Sequence, residues 1–138
     1  MTTFYSIEAA NDRLPELRDI LLRLRDQREE LVRLRDQNEA SDPGPADSTV
    51  RSEPGGVGDA RRIRLRMQGV IDQMQASVSQ IDQWGISLRD IESGLIDFPA
   101  LVTGRQVCLC WRLGEGPIDW WHELGTGFAG RRPLSELE

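Results

Sequence analysis

Leucine recurs at helical spacing through the first third of the chain. The apolar positions step by three or four residues, with Arg28 as the one position skipped, and are Leu14, Leu17, Leu21, Leu24 and Leu31. This spacing places them in a narrow stripe along one side of an α-helix, of the width found in coiled coils. Ser6 is suited to cap such a helix, and Pro15 predicts a short opening turn before the main helix. We therefore predict a first helical segment over residues 6–40.

A second helical stripe follows a segment without periodicity. Prolines and glycines are concentrated between residues 41 and 58, which predicts a flexible linker there. The second stripe consists of Ile63, Met67, Val70, Met74, Ile81 and Trp84. It predicts a second helix over residues 59–85 that ends near Gly85. Because each stripe needs a partner, the two helices are expected to pair as a long antiparallel hairpin.

The residues after the second helix favour short antiparallel strands. Four apolar-rich runs, over residues 86–91, 96–102, 107–113 and 118–124, are separated by short segments that contain glycine. Residues 92–94 predict a three-residue loop with a left-handed glycine, and Thr103 with Gly104 predicts a two-residue turn. The sequence thus predicts a four-stranded antiparallel sheet over residues 86–124, followed by a tail over residues 125–138.

The loop lengths also predict which residues face each other across the sheet. The predicted pairs are Arg89 with Asp97, Asp97 with Cys110, Cys108 with Glu123, Leu109 with His122, and Trp111 with Trp120. In this register the large apolar side chains collect on one face, which is expected to lie against the helical hairpin. The prediction is therefore one two-layer α+β domain over residues 1–138.

Composition excludes several classes of protein. The 138 residues suit one domain, and the net charge of −6 disfavours a general nucleic-acid binder. No apolar run approaches the roughly 20 residues that a membrane-spanning helix needs. The first residues lack the basic and apolar regions of a secretory signal. Together with two cysteines that are expected to be free thiols, this predicts a cytoplasmic protein.

Several segments resemble an uncharacterised bacterial family, the domain of unknown function DUF2203. They are SIEAANDRLPELR, GLIDFPAL, LCWRLGE, WWHEL and GFAGRRPL. The resemblance covers nearly the whole chain except the linker. It implies a small cytoplasmic bacterial protein, and it implies no activity or site residues that could be transferred to this chain.

His122, the only histidine, is the first candidate for site chemistry. No second histidine follows it four residues later, which excludes the zinc-protease motif. Asp97 and Cys110 face each other and offer the oxygen and sulfur ligands that zinc accepts. With Cys108 and Glu123 they make four potential ligands on one sheet face. A divalent metal such as zinc, held by His122 with Asp97, Cys110 or Glu123, is therefore one hypothesis.

The predicted register argues for a simpler interpretation of the same residues. It places His122 in the apolar row near the helices, and it leaves Asp97 to pair with Arg89 across neighbouring strands. A one-residue bulge in residues 114–117 would instead align Asp97, Cys110 and His122 as a three-ligand site. That shift would turn Trp120 outward, so the burial pattern argues against it.

The glycine-rich tail carries a second candidate, an anion site at Arg131 and Arg132. Guanidinium groups beside flexible backbone N–H groups are able to hold a phosphate or a carboxylate. The alternative is a flexible tail that crosses the sheet edge with Phe128 as its anchor.

These patterns favour an interaction module over an enzyme. At ~1.5 Å per residue the main helix spans about 35 Å, whereas a seven-residue strand spans about 23 Å, so one small sheet does not cover the helical stripes. The preferred hypothesis is a non-enzymatic protein that forms a homodimer or binds partner helices through its hairpin. The alternative is a metal-binding protein, in the extreme a metal-dependent hydrolase, with its site around His122.

Overall fold

Two helices and a five-stranded antiparallel sheet make up an α+β fold. The computed structural model describes residues 3–41 and 56–137. The elements in chain order are helices α1 (Ile7–Ser41) and α2 (Gly56–Gln83) and strands β1 (Ser87–Asp90), β2 (Leu95–Val102), β3 (Arg105–Arg112), β4 (Trp120–His122) and β5 (Arg132–Pro133). Each strand pairs with the next one in the chain. Residues 42–55 of the predicted linker lie outside the described residues.

The chain divides into two compact units. The first, which we name the sheet unit, comprises Met1–Arg25 and Ser77–Glu138. The second, which we name the helix unit, comprises Asp26–Ala76. Each unit is described by itself below. Among the described residues, no helix combines the length and the apolar character that crossing a membrane requires.

The start of α1 shows one confirmed and one wrong prediction. Ser6 caps the helix, since its Oγ accepts a hydrogen bond of 3.0 Å from the Ala9 N–H. The opening turn predicted at Pro15 does not form, and one continuous helix runs through that proline. A proline inside a helix costs about 3 kcal/mol. Burying Leu14 and Leu17 on either side of it offsets this cost, at about 1.5–3 kcal/mol for each side chain.

In the sheet unit, α1 covers one face of the sheet. Four of its leucines are almost fully buried, as are two aromatic residues of the strands: Leu14, Leu17, Leu21 and Leu24, with Phe98 and Trp111. The Tyr5 ring meets Phe98 edge-on at 5.1 Å, and the Arg18 guanidinium lies 5.6 Å from the Trp111 ring. The predicted packing of the apolar face of the sheet against the first helix is therefore confirmed within this unit.

The central hairpin has the predicted register. Asp97 is the partner of Cys110, and Phe98 is the partner of Leu109. Thr103 and Gly104 form the two-residue turn with positive φ angles of 49° and 78°. In the first hairpin the predicted pair of Arg89 with Asp97 is wrong, because Ser87 is the partner of Asp97. This shift of two residues has two parts: Asp90 rather than Ile91 is the partner of Leu95, so the loop has four residues instead of the predicted three, and the register shifts again between Leu88 and Asp90.

The third pair of strands differs from the prediction by one residue. Cys108 faces His122, Leu109 faces Trp121, and Cys110 faces Trp120. The predicted strand over residues 118–124 forms but is shorter, Trp120–His122, because the chain from residue 113 to residue 119 forms a loop. The backbone N–H of Ile118 donates to Asn11 Oδ1 of α1 at 2.8 Å, so this residue is held outside the strand ladder.

The predicted four strands become five because part of the tail joins the sheet. β5 pairs with β4, with Pro133 opposite Trp120 and Arg132 opposite Trp121. The Leu134 N–H donates to the Asp119 carbonyl at 2.8 Å and fixes the end of this strand. A two-residue edge strand that contains proline has no alternation by which the sequence could reveal it.

In the helix unit, polar pairs join the two helix segments. Gln27 Nε2 donates to Gln73 Oε1 at 3.3 Å, and Arg66 pairs with Glu30 at 2.6 Å. Because the residue numbers rise on α1 while they fall on α2, these pairs are consistent with an antiparallel arrangement. Val70 is fully buried, but most of the apolar stripe, including Ile63, is only half-buried.

Candidate metal centre

Three buried side chains with metal-ligand chemistry meet on one face of the sheet. One potential ligand atom from each of Asp97, Cys110 and His122 lies within 4.8 Å of the others. The three residues are 4%, 0% and 2% exposed. The predicted register, which placed His122 in the apolar row, is therefore wrong. His122 shares the face of Asp97 and Cys110, as the three-ligand alternative required, but the shift has the opposite direction from that alternative, because the direct partner of His122 is Cys108 and not Cys110.

The sheet brings these residues together by strand alternation. Asp97 and Cys110 are direct partners on β2 and β3, and Trp120 of β4 faces Cys110. His122 lies two residues after Trp120 and therefore points to the same face. Trp121, between them, points to the opposite face and is 2% exposed. Trp121 therefore occupies the buried apolar position that the sequence pattern had assigned to Trp120.

Hydrogen bonds fix the orientation of the histidine ring. His122 Nδ1 lies 2.7 Å from the backbone carbonyl oxygen of Glu123, which only accepts, so Nδ1 carries the proton of this bond. The opposite nitrogen, Nε2, lies 2.9 Å from Asp97 Oδ1. Metal-ligating histidines commonly donate one N–H to a backbone carbonyl while the other nitrogen faces the metal. His122 is held in this way.

The second carboxylate oxygen of Asp97 is also hydrogen-bonded. Arg89 Nε donates to Asp97 Oδ2 at 2.9 Å, so the predicted Arg89 and Asp97 side-chain contact forms although the two are not direct partners. Arg89 is about half exposed, whereas Asp97 is buried. The guanidinium therefore compensates the buried carboxylate from the edge of the cluster.

The thiol of Cys110 is not arranged for nucleophilic catalysis. Burial, with the nearby Asp97 carboxylate as the second cause, raises its pKa to about 12. Both nitrogens of His122 already bond oxygen atoms, so the ring is not placed to accept the thiol proton. A reactive cysteine needs a lowered pKa or an adjacent base. A metal ion, in contrast, displaces the proton of a thiol when it binds.

The donor set suits a zinc-class ion. Zinc accepts thiolate sulfur at about 2.3 Å and imidazole nitrogen or carboxylate oxygen at about 2.0–2.2 Å. Ligand atoms of a tetrahedral site with such bonds lie about 3.5 Å apart. The separations of up to 4.8 Å in this cluster need only small side-chain movements to reach that geometry.

The other predicted site residues lie outside this cluster. The Glu123 carboxylate pairs with Arg105 at 3.3 Å on the surface, and only the backbone carbonyl of Glu123 contacts His122. The Arg131 guanidinium is sandwiched between Trp120 and Phe128, 4.6 and 4.7 Å from the two rings. Arg132 is exposed and stacks on a different ring, that of Trp121, so an anion site of both arginines stays a prediction.

The contact between Arg131 and Glu115 is a feature that the sequence did not indicate. Arg131 Nη2 donates to Glu115 Oε1 at 3.0 Å, and the Arg131 Nε is buried without a partner among the described residues. The same Glu115 oxygen accepts from the Arg112 N–H at 2.7 Å. These bonds shape the loop before β4, so they help to set the register that places His122 beside Cys110. In the sequence, only the glycines and the proline in residues 114–117 indicated an irregular loop here, and no pattern indicated these hydrogen bonds.

Comparison with known families assigns the chain but no activity. The sequence model of a family described as "Uncharacterized conserved protein (DUF2203)" matches residues 3–134. This match includes both helices, all five strands and the three clustered residues. No curated protein and no solved structure matches the chain.

Proposed function

The chain belongs to the DUF2203 family, and we propose that it binds a zinc-class divalent metal ion through Asp97, Cys110 and His122. The observation that carries the proposal is the juxtaposition of sulfur, nitrogen and oxygen donors within 4.8 Å in a buried position. A carboxylate, an imidazole and a thiol in one buried cluster are the residue types that hold zinc in proteins.

Energetics supports a ligand role for this cluster. Taking an aspartate and a histidine out of water costs free energy that their mutual attraction does not always return. Apolar side chains of similar volume are often at least as stabilising in such a position. A buried polar set of this kind is a functional-site candidate.

The burial of the ligands favours a structural metal over a hydrolytic one. A hydrolytic metal keeps an open coordination position that a water molecule and a substrate reach. The three side chains are at most 4% exposed, which leaves a bound ion enclosed by the sheet. We therefore propose that the metal stabilises the sheet unit.

Zinc titration of untagged, chelator-treated protein tests this proposal. We expect one equivalent of zinc per chain, an unfolding midpoint that rises on loading, and loss of binding in His122→Gln. The matched control is Glu123→Gln, the neighbouring carboxylate that lies outside the cluster, which should bind as the wild type does. Binding below a tenth of an equivalent in the wild type, or equal loss in both variants, would contradict the proposal.

Self-association through the helix unit is a second candidate function. A groove of about 590 Å³ lies on this unit, and its apolar lining includes Leu34, Ala40 and Ile63. The half-burial of Ile63 shows that the two helix segments do not cover their own stripe. We propose that the helix unit of a second copy covers this groove.

Charge complementarity supports a second copy as the occupant. On α1, residues 29–39 carry four acidic and two basic side chains. On α2, residues 59–66 carry four arginines and one aspartate. In a two-fold dimer the acidic segment of one copy is able to lie against the basic segment of the other.

Light scattering over a range of protein and salt concentrations tests self-association. We expect a dimer that weakens as salt rises, because charge pairs between exposed helices are screened. Ala40→Arg, an exposed position beside Arg62 and Arg66 in the groove, should weaken the dimer at least tenfold. Ala129→Arg, an exposed position of the sheet unit, is the control and should leave it unchanged. A monomeric mass at every concentration would overturn this proposal.

A further inference from the structure

We infer that Cys108 is a fourth ligand, so that the ion is enclosed by Asp97, Cys108, Cys110 and His122. This inference rests on the metal binding proposed above and goes further, because it assigns a closed, structural coordination shell. A three-ligand site leaves one position of tetrahedral zinc to water, whereas a four-ligand site leaves none.

The sheet places Cys108 next to the cluster in two ways. It lies two residues before Cys110 on β3, so both side chains point to the same face. It is also the direct partner of His122 on β4. Its thiol is free and the residue is 6% exposed, so the side chain is shielded from solvent.

A side-chain rotation brings the second sulfur into reach. Cys108 is not among the residues whose ligand atoms lie within 4.8 Å of one another. A change of χ1 between staggered rotamers moves a cysteine sulfur by about 3 Å without moving the backbone. Same-face positions on a strand are about 6.5–7 Å apart, and two thiolates on zinc are about 3.8 Å apart. When the two cysteine side chains rotate towards each other, their sulfur atoms come close enough to bind the same zinc ion.

The resulting charge balance suits the surroundings. Two thiolates and one carboxylate around a divalent ion leave a net charge of −1, and the Arg89 guanidinium bonded to Asp97 offsets it. Binding releases the two thiol protons to solvent, with no change in oxidation state. The ion then joins strands β2, β3 and β4 through side chains from each of them.

Cobalt(II) substitution counts the sulfur ligands. Wild-type protein loaded with cobalt should show the intense visible bands of a tetrahedral site and a thiolate-to-cobalt charge-transfer band in the near ultraviolet. Cys108→Ser and Cys110→Ser should each lose about half of the charge-transfer absorbance. The matched control is Glu123→Gln, which should leave both sets of bands unchanged.

The outcomes separate this inference from the proposal on which it rests. Full charge-transfer absorbance in Cys108→Ser would overturn the fourth ligand and leave the three-ligand site intact. No cobalt spectrum in the wild type would overturn both. If either serine variant fails to fold by circular dichroism, X-ray absorption of the zinc-loaded wild type decides, since two sulfur neighbours support the inference and one refutes it.

Discussion

The two units differ in how completely they bury their apolar side chains. In the sheet unit, the stripe from Leu14 through Leu17 and Leu21 to Leu24 is almost entirely removed from solvent, and so are Phe98 and Trp111. In the described part of the helix unit, only Ala60 and Val70 are buried to a comparable degree among the apolar residues. Two adjacent helix segments cover one stripe each, whereas a sheet adds a second layer that encloses the stripe completely. Apolar residues at helical spacing therefore do not by themselves indicate how much stability a unit gains from burial.

The units also differ in what their ion pairs do. In the sheet unit, the Asp97 carboxylate that pairs with Arg89 and contacts His122 is only 5% exposed. In the helix unit, Arg66 and Glu30 pair with side chains that are 63% and 30% exposed. An exposed pair contributes little to stability, while a buried pair is costly to break. Four tests, three of them comparisons of one substitution in each unit, break or sharpen this contrast.

Truncation of the core should separate the two units most strongly. Phe98→Ala is expected to lower the free energy of unfolding by about 3–5 kcal/mol, because it leaves a cavity beside Tyr5. Ile63→Ala in the helix unit should cost about 1 kcal/mol, because that side chain is half-exposed. All four tryptophans lie in the sheet unit, so fluorescence during urea unfolding reports on it, while circular dichroism reports on both units. Equal losses at the two positions would contradict the comparison.

Removal of one charge from each ion pair gives the next largest difference. Asp97→Asn should destabilise metal-free protein by about 3 kcal/mol, because Arg89 and His122 lose their buried partner. Glu30→Gln should change stability by less than about 1 kcal/mol. Urea titrations in the presence of a chelator measure both. A loss below 1 kcal/mol for Asp97→Asn would show that the cluster is not a coupled network.

Alanine at one glycine of each unit should have effects of opposite sign. Gly94 has a φ of +67°, and a Cβ there would lie 2.5 Å from the Leu113 Cβ, so Gly94→Ala should destabilise by about 2–3 kcal/mol. Gly69 lies inside α2 with open space around it, so Gly69→Ala should stabilise by about 0.5–1 kcal/mol. Thermal unfolding monitored by circular dichroism compares them. Shifts of the same sign would refute this account.

The smallest effect is the pH dependence that Cys110 gives to metal-free protein. Its pKa is raised to about 12 in the folded state, mainly by burial. In the unfolded state the Cys110 thiol loses its proton near pH 8.5, while in the folded state it keeps the proton. The contribution of the thiol to the free energy of unfolding is therefore fully present below about pH 8.5 and is lost as the pH rises. The slope approaches about 1 kcal/mol per pH unit. Cys110→Ala should show a shallower slope between pH 9 and 10.5, and identical slopes would contradict the pKa.

Several elements of the fold follow from short-range patterns. Ser6 caps α1 through a residue three positions later, and Thr103 with Gly104 turns the chain through its own backbone angles. The pairing of Asp97 with Cys110 follows from the length of that turn. The proximity of these two site residues could therefore be predicted from the sequence.

The position of His122 could not be predicted in the same way. The strand that carries it begins only after a loop whose Ile118 N–H bonds to Asn11, 107 positions earlier in the chain. β5, which holds the other edge of β4, has only two residues and no alternating pattern. The alternation of apolar and polar residues predicts which face a side chain lies on only within a continuous strand. Because the loop before β4 is irregular, the predicted register was wrong by one residue for every position after it.

The amino-acid sequence by itself determined the two helices, the central hairpin and the meeting of Asp97 with Cys110, because spacing and turn chemistry act over a few residues. Only the tertiary structure decided the register of β4, the fifth strand, and the position of His122 on the buried face that carries Asp97 and Cys110. These features depend on hydrogen bonds between residues that are distant in the chain, and such bonds leave no periodic signal in the sequence.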